Sequence, residues 1–177
     1  MEWAAGNRLM LAQSCVAGLK KFGTTTAEHE VYHRPSDNRA LKITYPGTFG
    51  VTPEPKGVQK AATPAFYLQR LELMNEVFRS DFRLEGVLMG KSLLLGAKEE
   101  QPSFVVSQPW MSAADGKNPY PTAMEIAEFM GKAGFTAKAN SYYGWEKGNL
   151  TIIDARPDNF IKTSEGVVPI DLVICKN

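Results

Sequence analysis

The sequence predicts an α+β domain built on antiparallel sheet, and three observations carry that prediction. Two β-like runs, in "AEHEVYHRP" and "ALKIT", are joined by the polar turn "SDNR", which is hairpin patterning. Two helices announce their own starts, one with Thr63 before Pro64, the other with Thr122 three residues before Glu125. The last third reads as short strands punctuated by "KGN", "RPDN" and "SEG". With 177 residues, the chain has room for one compact domain of up to two small lobes.

Taken in order, residues 7–20 place Leu9, Ala12, Val16 and Leu19 at helical spacing behind Asn7 as an N-cap, so an N-terminal helix is expected within residues 1–22. The hairpin follows, then a Pro- and Gly-rich loop, "YPGTFGVTPEPKG", longer than most connections. The next helix, from residue 64 to 79, turns Tyr67, Leu71, Met74 and Phe78 to one side. "FRLEGVL" and "SFVVSQ" are β-like, and "AMEIAEFMGKAG" is a capped helix that Gly134 ends.

Composition excludes several classes. Twenty basic residues against nineteen acidic ones leave a net charge of +1, which is no nucleic-acid footprint. Cys15 and Cys175 are the only cysteines and form no C-x-x-C, so they read as reduced structural thiols. No apolar run reaches the ~18 residues of a spanning helix, and the first residues lack a secretory core. A soluble cytoplasmic protein without membrane contact is expected.

One pentapeptide raises a sharp alternative. "HEVYH", His29 to His33, matches H-E-x-x-H, in which a helix aims both imidazoles at one zinc ion. Three threonines precede it and Pro35 follows closely, which argues against a helix. On a strand the two His would stand ~13 Å apart at ~3.3 Å per residue, too far to share an ion. A zinc metalloprotease is therefore the remote reading.

The C-terminal third carries more chemistry. Asp154, Asn159 and Asp171 are two carboxylates and an amide along a β-ribbon, an oxygen-rich set that suits a hard divalent cation. Their spacing resembles the catalytic loop and magnesium-binding segment of protein kinases: "IIDARPDN" matches at the Asp, at a basic residue two later, and at Pro, acid and Asn. "VVPIDLV" stands where the metal-binding segment belongs, and "ALKIT" looks like the strand whose Lys holds phosphates. More closely, "AEHEVY…ALKITYPGTFG", "YLQRLELMNEVF", "SQPWM" and "DARPDNFIKTSEGVVPIDL" resemble the polyvalent-protein kinase family, small kinase-like domains of phages and mobile elements.

The resemblance implies a minimal protein-kinase-like fold. Residues 23–110 would form an N-lobe sheet with one helix and a hinge, and residues 111–177 a truncated C-lobe with one main helix and the catalytic-loop ribbon. It implies ATP and Mg²⁺ as cofactors. Lys42 would pair with phosphate oxygens, held by Glu72, or by Glu76 if the helix turns its other face inward. Gly23 to Ala27, with Thr26, would cover the phosphates with His29 close by, and Gln108 and Trp110 would border the nucleotide at the hinge. Asp154 would orient or deprotonate an acceptor hydroxyl, and Asn159 and Asp171 would hold the metal. Ile152 replaces the loop His of kinases, Leu172 and Val173 replace Phe-Gly, and six residues follow Asp171. Phosphorylation of peptides in the usual groove is therefore not expected. Two functions remain, phosphotransfer to an unassigned acceptor, or a silent binding module acting on a host or phage protein.

Overall fold

The computed structural model describes residues 4, 6–22, 28–53, 59–92, 98–139 and 141–177. The chain divides into two compact units, one of Met1–Val51, Lys60–Tyr67 and Asp81–Trp110, the other of Thr52–Gln59, Leu68–Ser80 and Met111–Asn177.

A five-stranded antiparallel sheet forms the first unit, from β1 (Lys20–Phe22), β2 (His29–Arg34), β3 (Arg39–Thr44), β6 (Arg83–Lys91) and β7 (Glu100–Pro109), in the order β1-β2-β3-β7-β6. The hairpin β2–β3 turns at Asn38, whose φ of 52° suits an Asn. Arg34 grips Asp37 across that turn with two hydrogen bonds. Central β3 is buried along its whole length, as a strand paired on both sides requires. A short ribbon, β4 (Val51–Pro53) with β5 (Gln59–Ala61), leads into helix α1 (Pro64–Phe78). Thr63 caps α1 as expected, its hydroxyl accepting from Phe66 N at 3.2 Å.

Residues opposite one another in the ladder share a face. One face carries Leu41, Ile43, Val105 and Leu88, and Leu11, Cys15, Val16, Leu19 and Tyr32 pack over it. The opposite face carries Phe49, Tyr67 and Phe104 in mutual ring contact, with centroids 5.0–6.3 Å apart.

Residues 7–20 do not form the helix expected of them. They hold one 3-10 turn, Gln13–Val16, and then enter β1. The backbone of Leu9 and Leu11 instead bonds Val87 on edge strand β6, at 2.7 and 2.9 Å. Gly86 admits this approach: a Cβ there would collide with Leu9 O and lie 2.6 Å from Leu11 Cγ. The apolar residues that suggested a helix cover the sheet and blunt its edge.

In the second unit, β8 (Thr136–Ala137), β9 (Trp145–Lys147), β10 (Leu150–Ile152) and β13 (Ile174–Lys176) make a sheet in the order β13-β10-β9-β8. β11 (Phe160–Thr163) and β12 (Gly166–Pro169) form a hairpin. Helix α2 (Ala123–Lys132) buries Ile126 and Met130. Phe129 of α2 meets Phe78 and Phe160, and Phe78 also stacks on Phe135. Among the described residues, no helix is long and apolar enough to cross a membrane.

The expected capping box at Thr122 and Glu125 is complete, and Lys162 also bonds Glu125. Chiefly through Lys162, and then through Thr122, the Glu125 carboxyl is held down to about 2. A carboxyl with a lowered folded pKa contributes stability above its unfolded pKa and loses it as pH falls through the folded one. Acidification from pH ~4.5 to ~2 should therefore weaken the start of α2. In Glu125→Gln the unfolding midpoint, followed by circular dichroism, should fall less across that window than in the wild type. Identical acid profiles would show that the box does not act this way.

Candidate functional site

In the second unit Asn159 organises the acidic residues. Pro157 opens a 3-10 turn after β10, and the turn delivers Asn159 into a buried position, 7% exposed. Its Nδ2 donates to Asp154 O at 2.7 Å and to Asp154 Oδ2 at 2.8 Å. Its backbone carbonyl accepts from Ile170 N at 2.8 Å and Asp171 N at 3.3 Å. One residue thus holds the segment after β10 and the segment after β12 together. Arg156 Nε bonds the other oxygen of Asp154 at 2.8 Å. Arg70, on α1 and only 2% exposed, pairs with Asp171 Oδ1 and donates to Leu172 O at 3.0 Å.

In the first unit, ladder register brings three expected residues, His29, Lys42 and Gln108, to one sheet face. Lys42 opposes Val31 and Val106, His29 opposes Thr44, and Ala40 opposes both His33 and Gln108. Trp110 follows two residues after Gln108 and packs on His33 and Phe22, with centroids 4.5 and 4.6 Å away. Lys42 is 5% exposed, its Nζ 5.5 Å from the Phe82 ring centre. His29 is buried, its Nε2 2.8 Å from Tyr67 Oη and 3.4 Å from Glu28 Oε1. Gln108 is buried, and its Oε1 has no hydrogen-bond partner among the described residues.

The remaining expected residues fall elsewhere. Glu72 and Glu76 are both exposed on α1, whereas Arg70 is buried. Gly23 and Thr26 lie outside the described residues. "HEVYH" is strand β2, so the helix that a zinc protease needs is absent from that stretch. His29 and His33 have separate partners, His33 Nε2 lying 3.1 Å from Asn38 Oδ1.

Arg70 and Tyr67 had escaped notice as polar partners. Their signal was available: Arg70 interrupts the stripe Tyr67, Leu71, Met74 at helical spacing, and a charge in such a stripe needs a partner.

An α+β chain with antiparallel sheets, the helices α1 and α2 among the described residues, and an Asp–Asn clasp followed by a second Asp is compatible with a small kinase-like fold. The family model described as the Serine/Threonine/Tyrosine kinase found in polyvalent proteins matches residues 1–176, and the chain belongs to that family. Comparison with curated proteins and with solved structures gave no match.

Three substitutions test these contacts. Asn159→Ala removes both donations to Asp154 and should cost about 2–3 kcal/mol. Asn159→Asp sets a second carboxylate beside Asp154 and should cost more at pH 7, with partial recovery near pH ~4 as the pair takes up a proton. Urea unfolding reads both, and wild-type stability in Asn159→Asp would rule the clasp out. Tyr67→Phe keeps the ring against Phe49 and Phe104 and removes only the hydroxyl bonded to His29. A loss of about 1 kcal/mol is expected, against none if the bond is not made.

Proposed function

We propose that the chain is a minimal phosphotransferase using Mg²⁺ and ATP, with a hydroxyl-bearing acceptor. The Asn159 clasp is the observation that carries this reading, because it joins Asp154 to the backbone of Asp171 through one buried residue. Asn159 spends its amide nitrogen on Asp154, which leaves its side-chain carbonyl as a neutral oxygen donor. With the Asp171 carboxylate it makes a donor set that fits a hard cation. A divalent cation held there supplies charge neutralisation at the phosphates.

The chain's own side chains do the rest. Lys42 pairs with phosphate oxygens from a buried strand position, where its charge is little screened. Asp154, fixed through both carboxyl oxygens by Asn159 and Arg156, orients the acceptor hydroxyl and accepts its proton. Residues 23–110 serve as an N-lobe with its hinge at Gln108 to Trp110, and residues 111–177 as a reduced C-lobe.

A second reading is a silent kinase-like module that binds a host or phage protein. Two observations favour it. Arg70 neutralises one oxygen of Asp171, and fully buried Ile152 stands where kinases carry the loop His.

The readings separate by thermal shift and turnover. ATP with Mg²⁺ at ~100 times its Kd should stabilise the chain by about 2.7 kcal/mol. Asp154→Ala should keep that shift while phosphoryl transfer falls by ~100-fold or more. A shift without turnover in the wild type selects the silent module. No shift with ATP, ADP or GTP, with or without Mg²⁺, overturns nucleotide binding altogether.

A further inference from the structure

The most exposed large hydrophobic side chain among the described residues is Tyr142, at 87%. It sits in the connection between β8 and β9, and that connection is built rather than slack. Lys138 N donates to Gly144 O at 2.9 Å, and Ser141 N donates to Lys138 O at 3.3 Å. Gly144 is needed there, since a Cβ would collide with Ser141 Oγ and lie 2.6 Å from Ser141 Cβ. Tyr143 packs edge-on against Tyr142, with centroids 4.8 Å apart.

The connection is fastened to the catalytic segment of the same unit. Tyr143 O accepts from Ala155 N at 3.1 Å, and Ala155 lies between Asp154 and Arg156. Immediately beyond, Trp145 of β9 pairs with Ile152 of β10. The hydroxyls of Ser141, Tyr142 and Tyr143 are therefore carried by a loop hydrogen-bonded next to the proposed base. The three differ in availability. Ser141 is exposed as Tyr142 is, and Tyr143 is half-buried as the anchor. Of the two phenols, Tyr142 carries the one on an exposed residue.

We propose that Tyr142 is a phosphorylation site of this chain, modified by the chain's own activity. The inference rests on the phosphotransferase reading above and names an acceptor for it. The phenol oxygen forms a bond to the γ-phosphorus of ATP while the bond from that phosphorus to the β,γ-bridging oxygen breaks. The phenolic proton passes to Asp154 and then to water, and ADP leaves. The product carries a near-dianionic phosphate on an exposed loop residue.

The test uses the full chain with γ-labelled ATP and Mg²⁺, followed by mass-spectrometric mapping and measurement of ATP consumption. Label on Tyr142 that falls tenfold or more in Tyr142→Phe, with the ATP-induced thermal shift kept, supports the proposal. Ser141→Ala should retain the label. ATP consumption without label on the chain, or label undiminished in Tyr142→Phe, overturns the acceptor while leaving the phosphotransferase reading standing. Absence of both ATP consumption and thermal shift removes that reading and, with it, the acceptor.

Discussion

The arrangement of the acidic residues depends on one side chain, the amide of Asn159. It is buried, and both of its nitrogen donations go to Asp154, one to the carbonyl and one to the carboxylate. Its backbone carbonyl serves Ile170 and Asp171. A buried amide that satisfies its neighbours this fully is hard to replace, because any apolar substitute strands the groups it serves. The residue that could lend an oxygen to a cation is thus also the residue that holds two loops in register. Loss of the clasp would disorganise the chemistry and the fold of that segment together.

The sheet of the first unit solves a different problem, that of a strand buried on both faces. β3 shows no exposed position, so each of its faces must be covered by something other than water. On one side the N-terminal segment lays Leu11, Cys15, Val16 and Leu19 over Leu41 and Ile43. On the other, Lys42 is a charge among buried neighbours, a costly placement unless its charge is used. Covering the first face with chain leaves the second as the face on which polar groups gather: His29, His33, Lys42 and Gln108.

How much of this was legible depended on whether the signal was local. Thr63–Pro64 and Thr122–Glu125 are capping chemistry confined to four residues, and both helices begin where those residues say. The β2–β3 hairpin was equally plain. Residues 7–20 misled because apolar spacing of three and four suits a helix, yet here it suits an irregular strap over a sheet; hydrogen bonds to Val87, 76 and 78 residues away in sequence from Leu11 and Leu9, decided between them. The inward side of α1 was beyond sequence for a related reason. Which side of a helix turns inward is settled by tertiary packing, and the packing buries Arg70 while leaving both glutamates in solvent.

The fate of "HEVYH" follows from the same logic. A strand alternates its side chains, so His29, Val31 and His33 share a face while Glu30 and Tyr32 share the other. Glu30 accordingly meets Lys21 and Tyr32, outside any metal chemistry. His29 meets Tyr67 in the first turn of α1. The hydrogen bond between His29 and Tyr67 fixes the start of α1 to the sheet.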